Sequence, residues 1–175
     1  MFYRTNVCSF LLLQLVAGIM WLSSCNTIDL YEKVVPIPKH QWQKSFKPEF
    51  TFTIKDTTAS YKLYFVIRHH NKYNYNNIWV KLQAKGPVDT LQTFRLELPL
   101  ANKEGWMGSG MDDIFGHWIE VHKQMDAFGS FKLLPDGNFQ FTRAGAYTFT
   151  LEQIMRDDAL TEVMNVGVRI EKKIP

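Results

Sequence analysis

The chain has 175 residues, 46% of them hydrophobic and 14% aromatic, and a formal net charge of +3 at pH 7. Its 20 basic and 17 acidic residues are too evenly balanced to favour nucleic acid as a partner. The length suits one domain with a sizeable core, and the aromatic content favours strands over helices.

The first 24 residues have the organisation of a secretory signal peptide. Arg4 precedes the apolar run Phe10–Leu22, which ends in the lipobox Leu22-Ser23-Ser24-Cys25. Small residues before the cysteine allow cleavage between Ser24 and Cys25, and the thiol then accepts a lipid. A plain signal peptide or an uncleaved helix is the alternative, but a run of about 13 residues is short for a span that needs about 20. The sequence predicts a lipoprotein anchored to a membrane through acylated Cys25.

The cysteines and the segment after them set further expectations. Cys8 leaves with the signal peptide and Cys25 is acylated, so no thiol remains for disulfide, zinc or nucleophile chemistry. Residues 25–40 contain Pro36 and Pro38 and show no amphipathic period, which predicts an extended tether of up to roughly 50 Å.

Strands are predicted from residue 41 onwards, because apolar and polar residues alternate with period two. About eight strands with short turns predict a single antiparallel β-sandwich over residues 41–175, with a barrel as the alternative. One short helical turn is expected near residues 156–163, and residues 112–125 are ambiguous between helix and strand. The predicted strands are Phe50–Ile54, Tyr61–Ile67, Ile78–Leu82, Phe94–Leu98, Phe131–Leu134, Phe139–Thr142, Tyr147–Leu151 and Val166–Ile170.

No residues form a recognisable catalytic or metal-binding pattern. His117 and His122 are five apart, whereas a metalloprotease helix needs two histidines four apart. The adjacent His69 and His70 would point to opposite faces of a strand, which favours a surface position. Carboxylates are scattered, so the sequence predicts a protein that is not an enzyme and has no cofactor or metal.

Two aromatic segments are candidates for contact with a partner. The run Gly105–Gly110 contains Trp106 and Met107, and a second segment contains Tyr73, Tyr75 and Trp79. Exposed aromatic and methionine side chains are common interface anchors. The alternative is that both segments are ordinary connecting loops, with Trp106 docked on the sandwich.

These landmarks resemble, in order and spacing, the gliding-motility lipoprotein GldH family of Bacteroidetes. The resemblance covers nearly the whole mature chain, although Gly105-Trp106-Met107 departs from a family pattern that is more basic or carries a bulkier aliphatic residue. The landmarks are the lipobox at Cys25, Trp42, Phe50–Asp56, Tyr61, Ile67–Trp79, Gly105–Gly110 with Asp113-Ile114, Gly145–Phe149, Gln153–Asp157 and Val166–Ile170.

The resemblance implies an envelope lipoprotein tied to gliding and to the associated type IX secretion apparatus, with no catalytic residues. Other envelope proteins of that assembly are the expected partners. Asn26 follows the cysteine and no acidic run follows it, which favours the periplasmic face of the outer membrane. The alternative is a glycan- or ligand-binding sandwich that uses exposed tyrosines and tryptophans as stacking platforms; an enzyme is the third possibility.

Overall fold

The computed structural model describes residues 30–121, 125 and 129–173. The predicted signal peptide, Ser24 and Cys25 lie outside the described residues. In chain order the strands are β1 (Leu30–Pro36), β2 (Gln41–Gln43), β3 (Glu49–Ile54), β4 (Tyr61–His70), β5 (Asn77–Lys85), β6 (Gln92–Pro99), β7 (Ala101–Asn102), β8 (Gly105–Trp106), β9 (Ser109–Met111), β10 (Ile114–Glu120), β11 (Phe131–Leu133), β12 (Phe139–Phe141), β13 (Gly145–Gln153), β14 (Ala159–Thr161) and β15 (Val163–Lys172).

The strands form two main antiparallel sheets, which confirms the predicted sandwich. The larger sheet has the order β1-β15-β4-β10-β9, and β12 joins it by pairing with β4 and β11. The smaller sheet has the order β3-β13-β5-β6, and β2–β14 and β7–β8 form separate two-stranded pairs.

Alternation along the strands places the core between the two sheets. In β3, for example, Phe50, Phe52 and Ile54 are buried while the threonines between them are exposed. The ring of Phe52 stacks on that of Tyr147 with centroids 5.8 Å apart, and Phe141 of the larger sheet lies 4.8 Å from Tyr147. The first contact lies within the smaller sheet, and the second joins the two sheets.

The sandwich has two ends, named here by the residues of the larger sheet that mark them. The Leu30 end comprises residues 55–60, 85–91, 134–138, 142–145 and 172–173. The opposite His70 end comprises residues 37–48, 71–76, 100–108, 112–113 and 154–162. Strand β4 runs from the first end to the second, and ten residues of strand span about 33 Å.

The first part of the chain corrects one prediction. Residues 30–36 were expected to belong to the tether, but they form β1 and pair with β15 from Leu30↔Glu171 to Pro36↔Asn165. Tyr31 packs against Phe52 at 5.3 Å, and Ile37 is buried. The tether prediction is therefore wrong from Leu30 onwards, and the sandwich begins at that residue rather than at residue 41.

The predicted helical turn is also misplaced. Residues 159–161 form β14, and the helical turn of the described residues is a 3-10 turn at Pro38–His40. The buried amide of Gln153 donates to the carbonyl oxygens of Asp157 (3.0 Å) and Asp158 (3.3 Å), which holds this segment without a helix. The ambiguous region 112–125 contains the strand Ile114–Glu120.

Candidate functional site

The glycine-rich segment of residues 105–113 is held by backbone hydrogen bonds at the His70 end. Strand β8 pairs with β7, and the amide of Met107 donates to the Leu100 carbonyl at 2.8 Å. The hairpin β9–β10 turns through Asp112 and Asp113, whose φ angles of 52° and 67° suit the tight turns of two-residue hairpins. The segment is therefore two short hairpins rather than an open loop.

A pair of buried histidines lies beneath this segment. His69 of β4 is 0% exposed and His117 of β10 is 4% exposed, and their Nε2 atoms are 2.9 Å apart. The Nδ1 atom of His69 lies 2.9 Å from the His70 carbonyl oxygen, which can only accept. His69 therefore carries its proton on Nδ1, and its Nε2 accepts a hydrogen bond from the Nε2–H of His117. The prediction of a surface position is wrong for His69.

Burial makes both imidazoles difficult to protonate. It is the largest cause that lowers the pKa of His117 to about 4, and the positive charge of a protonated His69 lowers it further. Burial also lowers the pKa of His69, against an opposing effect of its hydrogen bond to His70. At neutral pH the pair is uncharged, and both of its hydrogen bonds, to the His70 carbonyl and between the two rings, are made in this state.

Aromatic rings enclose His69 on several sides. Trp106 meets it edge to face with centroids 4.4 Å apart, and Phe115 stacks on it at 6.0 Å. Tyr73 approaches from the β4–β5 connection at 5.3 Å. Trp106 thus covers the histidine pair, as expected if its ring docks on the sandwich.

Two glycines of the segment permit close packing over the pair. A Cβ atom on Gly108 would overlap the Gly116 carbonyl oxygen and lie 2.8 Å from the His117 ring. A Cβ atom on Gly110 would lie 2.5 Å from the Phe115 ring. Neither glycine has a positive φ, so close approach, and not backbone conformation, requires them.

The structure brings together some of the residues predicted to contact a partner. Tyr73 lies 5.8 Å from Tyr75 and 6.4 Å from Trp106 between ring centroids, so these three form one cluster. Tyr73 is only 4% exposed and donates to the Asn77 carbonyl, while Tyr75 is half-buried and donates to Asp157.

Of the other two predicted residues, Trp79 lies apart from this cluster and Met107 lies at its edge. Trp79 is half-buried on β5, where the buried Ile78 and Val80 on either side place it on the outer face of the smaller sheet. Met107 is 56% exposed beside Trp106.

Sequence reasoning missed the histidine pair and two exposed apolar residues. His69 continues the inward alternation of Tyr61, Leu63, Phe65 and Ile67, which could have marked it as buried. Met111 is 79% exposed and Trp118 is 49% exposed. Both line a shallow groove on the outer face of the larger sheet with Arg68, Ser109, Ile114 and Gly116.

The arrangement of titratable groups does not suggest a metal centre. Within residues 30–121, 125 and 129–173, no three histidine, cysteine or acidic side chains are grouped so that they could hold a metal ion. His122, considered above with His117, lies outside the described residues. Within the same ranges, no helix has the length and apolar character needed to cross a membrane.

These features define an all-β module with an aromatic end held by backbone hydrogen bonds and with exposed methionines at and beside that end. The family model described as GldH lipoprotein matches residues 29–170. A gliding motility lipoprotein GldH homolog of Christiangramia forsetii is 28% identical over 162 residues, which cover 88% of this chain and 90% of that protein. The gliding motility lipoprotein GldH of Flavobacterium johnsoniae is 27% identical over 167 residues, covering 91% and 94%.

The chain belongs to the GldH lipoprotein family. It is therefore a membrane-anchored protein of the cell envelope.

Proposed function

We propose that the protein is a non-enzymatic component of the gliding-motility machinery and of the associated type IX secretion apparatus. Acylated Cys25 attaches it to the periplasmic face of the outer membrane. Two similar proteins that are named for gliding motility support this assignment. The structural observation that carries it is a set of exposed apolar side chains on backbone that hydrogen bonds hold in place.

The proposed contact surface consists of Met107, Met111 and Trp118 and is called the methionine surface below. Their exposed fractions are 56%, 79% and 49%. Methionine adapts its shape to a partner, and tryptophan is enriched among the residues that dominate binding energy. Since the supporting hairpins are already ordered, binding would cost little backbone entropy.

The charges at the His70 end, where Met107 lies, favour a protein partner over a strongly charged ligand. The His70 end carries six cations and six carboxylates, so it is neutral as a whole. Its cations are Lys39, Lys44, Lys47, Lys72, Lys103 and Arg156, and its acids are Glu104, Asp112, Asp113, Asp157, Asp158 and Glu162. Apolar contacts would then dominate recognition.

The structure offers little support for the alternative of a glycan-stacking platform. That alternative needs exposed rings at Tyr73, Tyr75 and Trp106. Tyr73 is buried, and Trp106 places its ring against His69. A sugar could stack on the Trp106 ring only if that ring moved away from the histidine pair.

Crosslinking in cells and co-purification with known gliding and secretion components test the proposal. Met111→Ser combined with Trp118→Ser should reduce recovery of the crosslinked partner several-fold without changing the melting temperature. Thr93→Ser combined with Arg95→Ser is the matched control, because both side chains are exposed on the outer face of β6 in the other sheet. Equal recovery from both variants would refute the methionine surface.

Two further measurements address anchoring and location. Cys25→Ala should release the protein from the membrane fraction, because the acyl chains can no longer be attached. Protease added to intact cells should leave the wild-type protein uncut. Degradation under those conditions would place it on the cell surface instead.

A further inference from the structure

The position of β1 limits how far the sandwich can stand from its anchor. Four residues separate Cys25 from Leu30, the first residue of β1. At about 3.6 Å per residue, the covalent chain between these two positions spans at most about 18 Å. Leu30 must therefore lie close to the membrane that holds the acyl chains.

The end of the sandwich near Leu30 displays an apolar tip. Val88 is 67% exposed and Leu91 is 54% exposed, both in the connection between β5 and β6. Asp89, which lies between them, accepts a hydrogen bond from the backbone amide of Ser130 at 3.0 Å. Its carboxylate is thus engaged within the protein, and the tip presents its apolar side chains to solvent.

Packing connects this tip to the rest of the Leu30 end. Tyr31 contacts Phe52, and Phe52 stacks on Tyr147 at the start of β13. A Cβ atom on Gly145, two residues before Tyr147, would lie 2.7 Å from the Pro87 side chain. The tip and Leu30 therefore belong to one packed surface, on either side of the same end of the sandwich.

The charge at this end is positive, unlike that of the His70 end. It carries five cations and three acids, and two of the acids, Asp56 and Asp136, accept hydrogen bonds from their own loops. Exposed apolar residues with cations around them favour a surface of anionic lipid. The cations are Lys55, Lys85, Arg143, Lys172 and Lys173, and all except Lys172 are exposed.

We propose that the Leu30 end rests on an anionic phospholipid surface, with Val88 and Leu91 at the depth of the headgroups. This inference depends on the acylation of Cys25, which is part of the proposed function. The sandwich then stands upright on the membrane. In this orientation Met107, at the His70 end, lies about 33 Å from the bilayer, the length of β4, and Trp118, which pairs with Val66 midway along β4, lies about half as far.

The absence of other thiols in the mature sequence allows a direct test with the full-length lipidated protein. Single variants Val88→Cys, Leu91→Cys, Met107→Cys and Met111→Cys are labelled with bimane and reconstituted into vesicles of phosphatidylethanolamine and phosphatidylglycerol. A nitroxide-labelled phospholipid quenches labels in contact with lipid, and iodide quenches labels in water.

We expect lipid-borne quenching to be several-fold stronger at Val88→Cys and Leu91→Cys than at the two methionine positions. Iodide should show the reverse order. Comparable exposure to iodide at both ends, or stronger lipid quenching at Met111→Cys, would overturn the proposal.

Charge variants test whether the anionic headgroups contribute. Lys85→Glu combined with Arg143→Glu should lower lipid quenching at Leu91→Cys several-fold, as should replacement of phosphatidylglycerol by phosphatidylcholine. Lys72→Glu combined with Lys103→Glu, at the opposite end, is the matched control and should have no effect. Equal lipid quenching at Leu91→Cys in the two double charge variants would show that the surface does not select anionic lipid.

The mass of the extracted protein separates two kinds of failure. An unacylated Cys25 would refute the anchor of the proposed function itself. Acylated Cys25 together with water-exposed labels at Val88→Cys and Leu91→Cys would refute only the membrane contact of the Leu30 end.

Discussion

The Nε2–H of His117 donates to the Nε2 of His69 across 2.9 Å, between two strands and beneath Trp106. The bond needs the Nε2 of His69 as its acceptor, so it exists only while His69 is neutral, whereas a proton on the Nδ1 of His117 would leave the donating Nε2–H in place. A proton added to His69 would place two N–H groups opposite each other in a buried site. The pair therefore links packing at the His70 end to pH.

We expect the free energy of unfolding to fall on acidification because the pKa of His117 is lowered to about 4. Above pH 6.5, neither the folded nor the unfolded state binds this proton. Between pH 6.5 and about 4 only the unfolded state does, so the stability falls by roughly 3 kcal/mol over this range. Urea unfolding measured across this range checks the prediction.

The matched variants for this measurement are His117→Gln and His40→Asn. Glutamine can still donate to His69 but does not titrate, so the acid sensitivity should shrink. His40 is exposed with a φ of 54°, a conformation that asparagine tolerates. An unchanged pH dependence in His117→Gln would contradict the assignment.

Trp106→Ala should destabilise the protein by about 2 kcal/mol, less than the 3–5 kcal/mol typical of a fully buried tryptophan. Its ring is partly buried against the core and covers His69. Trp118→Ala removes an exposed ring and should cost well under half as much. Thermal unfolding of both variants measures the two losses of stability. Equal losses would show that Trp106 is not part of the core.

Gly108→Ala should cost about 1–3 kcal/mol, because its methyl group would overlap Gly116 and the His117 ring. Ser109→Ala changes an exposed neighbour and should be nearly neutral. Denaturant unfolding measures the difference between the two. The near-ultraviolet circular dichroism of Trp106 should also change only in Gly108→Ala, and identical behaviour of the variants would refute this close packing.

Val35→Asp and Val34→Asp test whether residues 30–36 are a strand in solution. Val35 packs against the core, so a charge there should cost at least about 2 kcal/mol. Val34 is 38% exposed, and its change should stay within about 0.5 kcal/mol. The ratio of folded to unfolded protein in urea gives both values. A flexible tether would tolerate both substitutions equally.

Strict alternation made several of the long strands predictable from sequence. In β3 and β13 the buried residues recur at every second position, so both face and extent follow from the pattern. Strand β1 lacks this pattern, because an edge strand needs few inward residues and only Tyr31 and Val35 pack against the core. Its prolines then suggested a tether.

The histidine pair could not be assembled from sequence because it depends on register across the larger sheet. In the ladder between β4 and β10, His117 pairs with Ile67 and Phe115 pairs with His69. This register brings the imidazole rings of His69 and His117 together. Because the two histidines are 48 residues apart in the chain, the sequence does not indicate that register. The need for glycine at positions 108 and 110 arises from groups on the neighbouring strand β10, and so it depends on the same register.

The pairing of β1 with β15 has a mechanical consequence. Tension between the lipid and the methionine surface would enter the domain at Leu30 and run along the axis of β1. All seven residue pairs of the β1–β15 ladder would then bear the load together, in shear, instead of opening one after another. An anchor joined to the outer end of an edge strand in this orientation resists a pulling force far better than one that peels the strand sideways.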